Sequence, residues 1–297
     1  MGTREYREVK ANEPWGRAPR QPQHDRPRQE CHTGPGPGMT GSFQRAPMRT
    51  LVTGAARGLG RDIALKLADQ GHLVLACDAS AAVSELGGER GGRIRTMQLD
   101  LTESDADRML VGGAIELLGG LDALVNNAGV GGPGTLLEHT TDADLEQVLA
   151  VNLLSPARLC RAALPILRRG GRGRIVNVGS LFANHPQSHG VAYSMSKGAL
   201  AALTRSLAVE EGPYGTTVNT VSPGYMLTGM HREEAALQAA LRGVGVAEEL
   251  ERISSAIPMR RHGTGEDVAA TVAWLLSEPA GYVSGQDIPV NGAAAFG

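Results

Sequence analysis

From Met48 onward, short apolar runs of strand length alternate with longer stretches of helical periodicity, and that alternation leaves few ways to fold. The runs are Thr50-Leu51-Val52, Leu73–Cys77, Ile94–Leu99, Leu121–Asn126, Arg174–Ser180, Thr217–Ser222 and Ile288-Pro289-Val290. Helical patterns lie between them at about 59–70, 104–118, 142–168, 191–211 and 266–277. Strands that are apolar almost throughout have both faces buried, which a parallel sheet covered by helices on each side provides. Only 3% of the residues are aromatic although 41% are hydrophobic, so the core is aliphatic. Right-handed crossovers then give an α/β doubly wound sheet of about seven strands, of Rossmann type, with ligand sites at the carboxyl ends of its strands. The stretch 225–260 reads as an irregular insertion.

Residues 1–47 are of another kind. They hold Pro14, Pro19, Pro22, Pro27, Pro35, Pro37 and Pro47, the run Gly34-Pro35-Gly36-Pro37-Gly38, and no apolar periodicity. Burial there could not offset the entropy of ordering, so a disordered extension (1–47) is expected before a single domain (48–297). The functional chain is expected to begin near Met48 or Met39. A formal charge of −2 gives no reason to expect nucleic acid or an anionic membrane as a partner. No apolar segment is long enough to span a bilayer. Cys31, Cys77 and Cys160 form neither a metal-ligand cluster nor a disulfide framework, so no metal is expected and a cytoplasmic setting is.

The first strand runs into Thr53-Gly54-Ala55-Ala56-Arg57-Gly58-Leu59-Gly60 and then a helix. Glycines there allow a sharp turn and let a pyrophosphate approach the helix N-terminus, where free N–H groups favour anions. The spacing is Gly-x3-Gly-x-Gly rather than the common G-x-G-x-x-G. In isolation an ordinary glycine-rich turn would account for it; its place between the first strand and the first helix favours a dinucleotide. Asp78 ends the second strand, where a carboxylate can accept hydrogen bonds from ribose hydroxyls and repel a 2′-phosphate. Arg57 argues the other way, for NADP. Two like charges a few ångströms apart cost more than one flexible arginine recovers, so NAD is the expected cofactor.

Asn126-Asn127-Ala128-Gly129 follows the fourth strand, and Tyr193-Ser194-Met195-Ser196-Lys197 lies in a helix. Tyr193 and Lys197 are four apart and share a helix face. A phenol with a pKa of about 10 is a poor base at neutral pH, and a neighbouring ammonium lowers that value. Ser180 stands at the carboxyl edge of the sheet. Over about residues 48–292 the chain resembles the short-chain dehydrogenase/reductase family, through Thr53–Gly60, Asp100, Asn126–Gly129, Asn152, Ser180, Tyr193-x3-Lys197 and Pro223-Gly224 in that order.

The resemblance implies roles. Tyr193 is the general acid/base, Lys197 lowers its pKa and holds the nicotinamide ribose, Ser180 orients the carbonyl, and Asn152 supports a proton relay. It further implies cofactor contacts from Gly54, Arg57, Gly58, Leu59, Gly60 and Asp78, from Asp100 and Leu101 at the adenine, and from Asn127, Ala128 and Gly129. Pro223, Gly224, Met226 and Thr228 are implied at the nicotinamide end. Met226 stands where the family often has Val or Ile, and Asn291-Gly292 where Asp-Gly-Gly is commoner. A homo-oligomer, tetramer or dimer, is implied through the 142–168 and 191–211 helices and the last strand. The substrate is expected to be a small alcohol or carbonyl compound in a largely apolar pocket walled by Leu181, Phe182, Asn184, His185, His189 and 225–257. An NAD-dependent dehydrogenase of a secondary alcohol is the leading expectation. An NADPH-dependent carbonyl or 3-oxoacyl thioester reductase is the second, and a non-catalytic dinucleotide-binding scaffold or sensor the third.

Overall fold

The computed structural model describes residues 47–296. The extension expected to be disordered therefore lies, apart from Pro47, outside the described residues. Seven strands are described: β1 (Arg49–Thr53), β2 (Leu73–Asp78), β3 (Ile94–Gln98), β4 (Ala123–Asn126), β5 (Arg174–Val178), β6 (Thr217–Pro223) and β7 (Asp287–Val290). They form one parallel sheet in the order β3-β2-β1-β4-β5-β6-β7. The winding reverses between β1 and β4, which opens a crevice over their carboxyl ends.

Successive side chains of a strand face opposite sides, and each side meets its own helical layer. Val52, Val74, Ala76 and Val125 pack against Ile63 and Leu67 of α1 (Gly58–Asp69) and Val268, Val272 and Leu276 of α9 (Gly265–Leu276). Leu51, Leu75 and Leu124 pack against Leu110 and Ala114 of α3 (Ala106–Leu118), Leu159 and Ala163 of α5 (Ser155–Leu167), and Leu207 of α6 (Val191–Glu211). Between β2 and β3, α2 (Glu89–Gly92) is a single turn interrupted by left-handed Arg90 and Gly91.

The helical pattern at 142–168 is one continuous run in three parts: α4 (Asp142–Leu149), a π-helical turn at Ala150–Leu154, and α5. The insertion is not irregular. It holds α7 (Gly229–Arg242) and α8 (Val246–Ala256), which share a small core of Ala235, Ile253 and Ile257. The Thr228 side chain caps α7 by accepting from the His231 N–H, and the Leu250, Ile253, Ile257 spacing gives α8 its apolar edge.

On the far side of the sheet, Glu211 at the end of α6 is fully buried and takes both Nε (2.9 Å) and Nη2 (2.5 Å) of Arg168 at the end of α5. The Arg168→Ala substitution strands that carboxylate without a partner. It should lower the unfolding free energy by about 3 kcal/mol, measurable by urea denaturation; a loss below about 1 kcal/mol would mean that water reaches Glu211.

Candidate active site

The glycine turn at the end of β1 is held from behind. Asn127, after β4, donates its Nδ2 to the carbonyls of Thr53 and Gly54, both at 3.0 Å. Thr53 Oγ1 accepts from the N–H groups of Asn127 (3.1 Å) and Ala128 (3.2 Å). Gly54 and Gly60 have no room for a side chain: a Cβ on Gly60 would lie 2.1 Å from the Gly54 carbonyl oxygen, and one on Gly54 2.7 Å from Ala128 Cα. Gly58 is the opposite case, since a Cβ there would meet only the Thr228 side chain, at 3.8 Å and beyond. Its φ of +58° still favours glycine. The N-terminus of α1 carries no side-chain cap, whereas Thr141, Thr228 and Thr264 cap α4, α7 and α9.

Asp78 closes the cradle on the β2 side. Its Oδ2 accepts from the Ala56 N–H and its Oδ1 from the Ser80 N–H, both at 2.9 Å. Arg57 is exposed. A tight glycine turn, an uncapped helix N-terminus and a carboxylate beside them fit a dinucleotide: phosphates at α1, an adenosine ribose at Asp78. Asp100, beyond β3, closes a turn by accepting from Thr102, and the Leu101 carbonyl accepts from Ser155. Gly224 lies against Asn291 and its N–H donates to Val290. Met226 differs from its expected place at the pocket wall, since its side chain is buried in the core between sheet and α9.

The four residues singled out for chemistry come together over the carboxyl ends of β4 and β5. Ser180, whose Oγ accepts from the Phe182 N–H at 3.1 Å, stands close enough to the Tyr193 hydroxyl to act on it. Lys197 is buried and its Nζ donates to the Val178 carbonyl at 2.8 Å, 5.8 Å from the centre of the Tyr193 ring. Asn152 sits in the π turn with no exposed surface; its Oδ1 accepts from the Val130 N–H and its Nδ2 donates to the Val130 carbonyl and Ser196 Oγ. Ser196 Oγ donates in turn to the Tyr193 carbonyl. Gly129 borders both groups, since a Cβ there would lie 3.2 Å from Asn152 Oδ1 and 3.5 Å from Lys197 Nζ.

One electrostatic expectation is corrected. Burial is the largest influence on Tyr193 and raises its pKa above that of a free phenol; the Ser180 hydroxyl lowers it and the Glu234 carboxylate raises it further. Burial acts on the Lys197 ammonium too and pushes it down to about 8. The pocket is also less apolar than expected. A cavity of about 300 Å³ beside Tyr225 is lined by Gln187, His189, Glu234 and Gln238 among others. His185 instead bonds the Phe296 carbonyl at 2.7 Å.

Sequence reasoning missed Thr53 and Ser196 as braces, Val178 as the lysine's acceptor, and Glu234. Thr53 and Ser196 lie inside the motifs but have no chemistry of their own to announce them. Glu234 carries no motif; only its place on α7 in the wall of that cavity, with a charge that raises the Tyr193 phenol, identifies it.

Residues 54–293 match the family described as enoyl-(acyl carrier protein) reductase. The chain is 38% identical over 259 residues to L-fucose dehydrogenase of Oryctolagus cuniculus, a match covering 83% of this chain and 84% of that protein. Among solved structures it is similar to an NAD+-bound xylitol dehydrogenase, with a TM-score of 0.76 and 30% identity over 81% of this chain and 96% of the other. It is also similar to a 3-ketoacyl-(acyl-carrier-protein) reductase from Brucella melitensis complexed with NADH, with a TM-score of 0.75 and 25% identity over 83% and 98%.

The buried ammonium has a cost that can be read in stability. Unfolded chains hold the lysine proton up to about 10.4, whereas the folded protein releases it near 8. Between those values the unfolded state binds more protons, so this group's contribution to stability rises with pH. The Lys197→Met variant should therefore unfold at a higher temperature than wild type at pH 7, with the gap narrowing toward pH 10. A gap constant over that range would show that Lys197 is not desolvated.

Proposed function

The chain belongs to the short-chain dehydrogenase/reductase family of NAD(P)-dependent oxidoreductases, and from that premise we propose that it passes hydride between NAD(H) and a secondary alcohol/ketone pair, with Tyr193 as general acid/base. The observation that carries this reading is Tyr193 brought beside Ser180 and a buried Lys197, over strand ends flanked by the glycine cradle. The bound nicotinamide supplies the hydride acceptor or donor. Gly54, Gly58, Leu59 and Gly60 give the phosphates backbone N–H groups, and Asn127, Ala128 and Gly129 line the approach to the reacting centre. Asp100 and Leu101 border the adenine, and Pro223, Gly224, the Met226 backbone and Thr228 the nicotinamide end.

The chain's own chemistry is proton handling. Ser180 Oγ has a free lone pair and a rotatable proton, so it can hold the substrate oxygen next to Tyr193. Tyr193, with its pKa raised by burial, is a phenol at neutral pH and suited to give its proton to a forming alkoxide. In the oxidative direction it takes that proton, so oxidation gains from rising pH. Lys197 favours phenolate when charged, and its lowered pKa lets it exchange protons near neutrality. Asn152 acts through the brace it forms with Val130 and Ser196.

NAD is supported by Asp78, whose two oxygens are fixed by Ala56 and Ser80 at the rim of the cradle and would face a 2′-phosphate. The similarity to a 3-ketoacyl reductase favours a second reading, an acyl thioester reductase. Exposed Leu154, Met195 and Val209 on the α5–α6 side support a homo-oligomer. The buried free thiols Cys77 and Cys160 suit the cytoplasm; no described helix is long and apolar enough to cross a membrane.

The Tyr193→Phe variant should lose roughly 100-fold or more in kcat while keeping the wild-type Kd for NAD; turnover within about threefold of wild type would overturn the assignment. The Asp78→Ala variant should move the ratio of NAD to NADP affinity toward NADP by about tenfold, read by titration calorimetry. An unchanged ratio would mean that Asp78 does not reach the ribose.

A further inference from the structure

The cavity beside Tyr225 lies between the loop after Ser180 and the α7–α8 pair. Phe182 links it to the reacting centre, with its ring edge-on to Tyr193 (6.5 Å between centres) and to Tyr225 (5.8 Å). On α7, Glu234 and Gln238, four apart, line the cavity together with Ala235, which also belongs to the small core. Gln187 reaches in from the opposite wall and donates to the Tyr225 hydroxyl at 2.6 Å.

The charges of this cavity balance. Glu249 is buried, and both its oxygens are occupied by Arg252, at 2.9 and 2.7 Å. Arg242 lies 3.7 Å from the same carboxylate. Two arginines and two glutamates therefore line the pocket, and their formal charges cancel. A strongly charged ligand would gain from one pair and be opposed by the other. Glu234 is the acid with capacity to spare. It pairs with His231, whose Nδ1 lies 3.7 Å away, longer than a hydrogen bond, and it shares the cavity wall with Tyr225, its charge raising both the Tyr193 and the Tyr225 phenol.

From this we infer that the substrate is a neutral polyhydroxylated compound, a sugar or alditol, and that Glu234 selects it by accepting hydrogen bonds from hydroxyls neighbouring the carbinol carbon. The inference rests on the proposed oxidation of a secondary alcohol at Tyr193. A carboxylate offers two acceptor oxygens side by side, the complement of a vicinal diol. Gln238 and Gln187 add donors and acceptors for hydroxyls further along the chain or ring. An alkyl chain or an acyl thioester would bury the Glu234 carboxylate without replacing its water, which strongly disfavours such a ligand.

The test uses the full chain with NAD and three alcohols: a hydroxylated pyranose or alditol, its deoxy counterpart lacking one hydroxyl beside the oxidised carbon, and cyclohexanol. Wild type should prefer the hydroxylated substrate over the deoxy compound by at least about tenfold in kcat/KM. The Glu234→Gln variant should shrink that preference by about tenfold, chiefly through KM for the hydroxylated substrate, and Glu234→Asp should restore part of it. Gln is close in size to Glu, and unfolding temperature checks that the fold is kept. A preference unchanged in Glu234→Gln, the absence of preference in wild type, or faster reduction of 3-oxoacyl thioesters than of any keto-sugar would each overturn the inference. Cyclohexanol with Tyr193→Phe separates the two levels. If that variant loses cyclohexanol oxidation while Glu234→Gln keeps full selectivity, only the substrate inference falls. If it oxidises cyclohexanol as wild type does, or wild type oxidises none of the alcohols, the reading of the site falls with it.

Discussion

Asn152 is the point on which the site depends. A polar amide with no exposed surface must find its partners inside the protein, and this one finds them on two separate elements: both backbone groups of Val130 in the segment after β4, and Ser196 in α6. The helix containing it opens into a π turn at that residue. Such turns are uncommon in helices and concentrate at functional sites. Here it lets one side chain fasten the strand-end loop to the helix that carries Tyr193 and Lys197. Ser196 passes the restraint on by bonding the Tyr193 carbonyl.

A second brace acts on the cofactor side. Asn127 and Thr53 tie the turn after β1 to the segment after β4, so the two loops over the crevice are held to each other. Gly54 and Gly60 belong to the same arrangement, because backbones that close exclude a Cβ. The glycine cradle and the helix carrying Tyr193 and Lys197 are thus both tied to one strand-end segment, residues 126–130. The Lys197 ammonium, drawn down to about 8 by burial, shows the energetic cost of placing a lysine at that junction.

Most of the fold was legible in the chain because it follows from periodicity. Apolar strands such as Leu73–Cys77 and the 191–211 helix are set by local pattern and by burial on both faces. The glycine turn, Asp78, Ser180, Tyr193 and Lys197 stand out in the chain because each is a residue type that few alternatives can replace at its place, and the structure sets Lys197 beside Tyr193 and Asp78 beside the glycine turn. The π turn was not, since it arises from bonds between Asn152 and residues 22 and 44 positions away. The α7–α8 pair was missed because its helices are rich in Glu and Arg and share a core of only Ala235, Ile253 and Ile257; the Leu250, Ile253, Ile257 spacing held the signal. The direction of the Tyr193 shift was missed because a sequence shows the neighbouring charge of Lys197 but not the burial that outweighs it.

The claim that unites these features is that the site moves hydride between a carbinol carbon and a dinucleotide. It is tested most directly by incubating the protein and NAD with a secondary alcohol deuterated at its carbinol carbon, then weighing the reduced cofactor. The account predicts NADH that carries one deuterium per turnover. Reduced cofactor without deuterium, or a dinucleotide that stays oxidised with every alcohol offered, would contradict it.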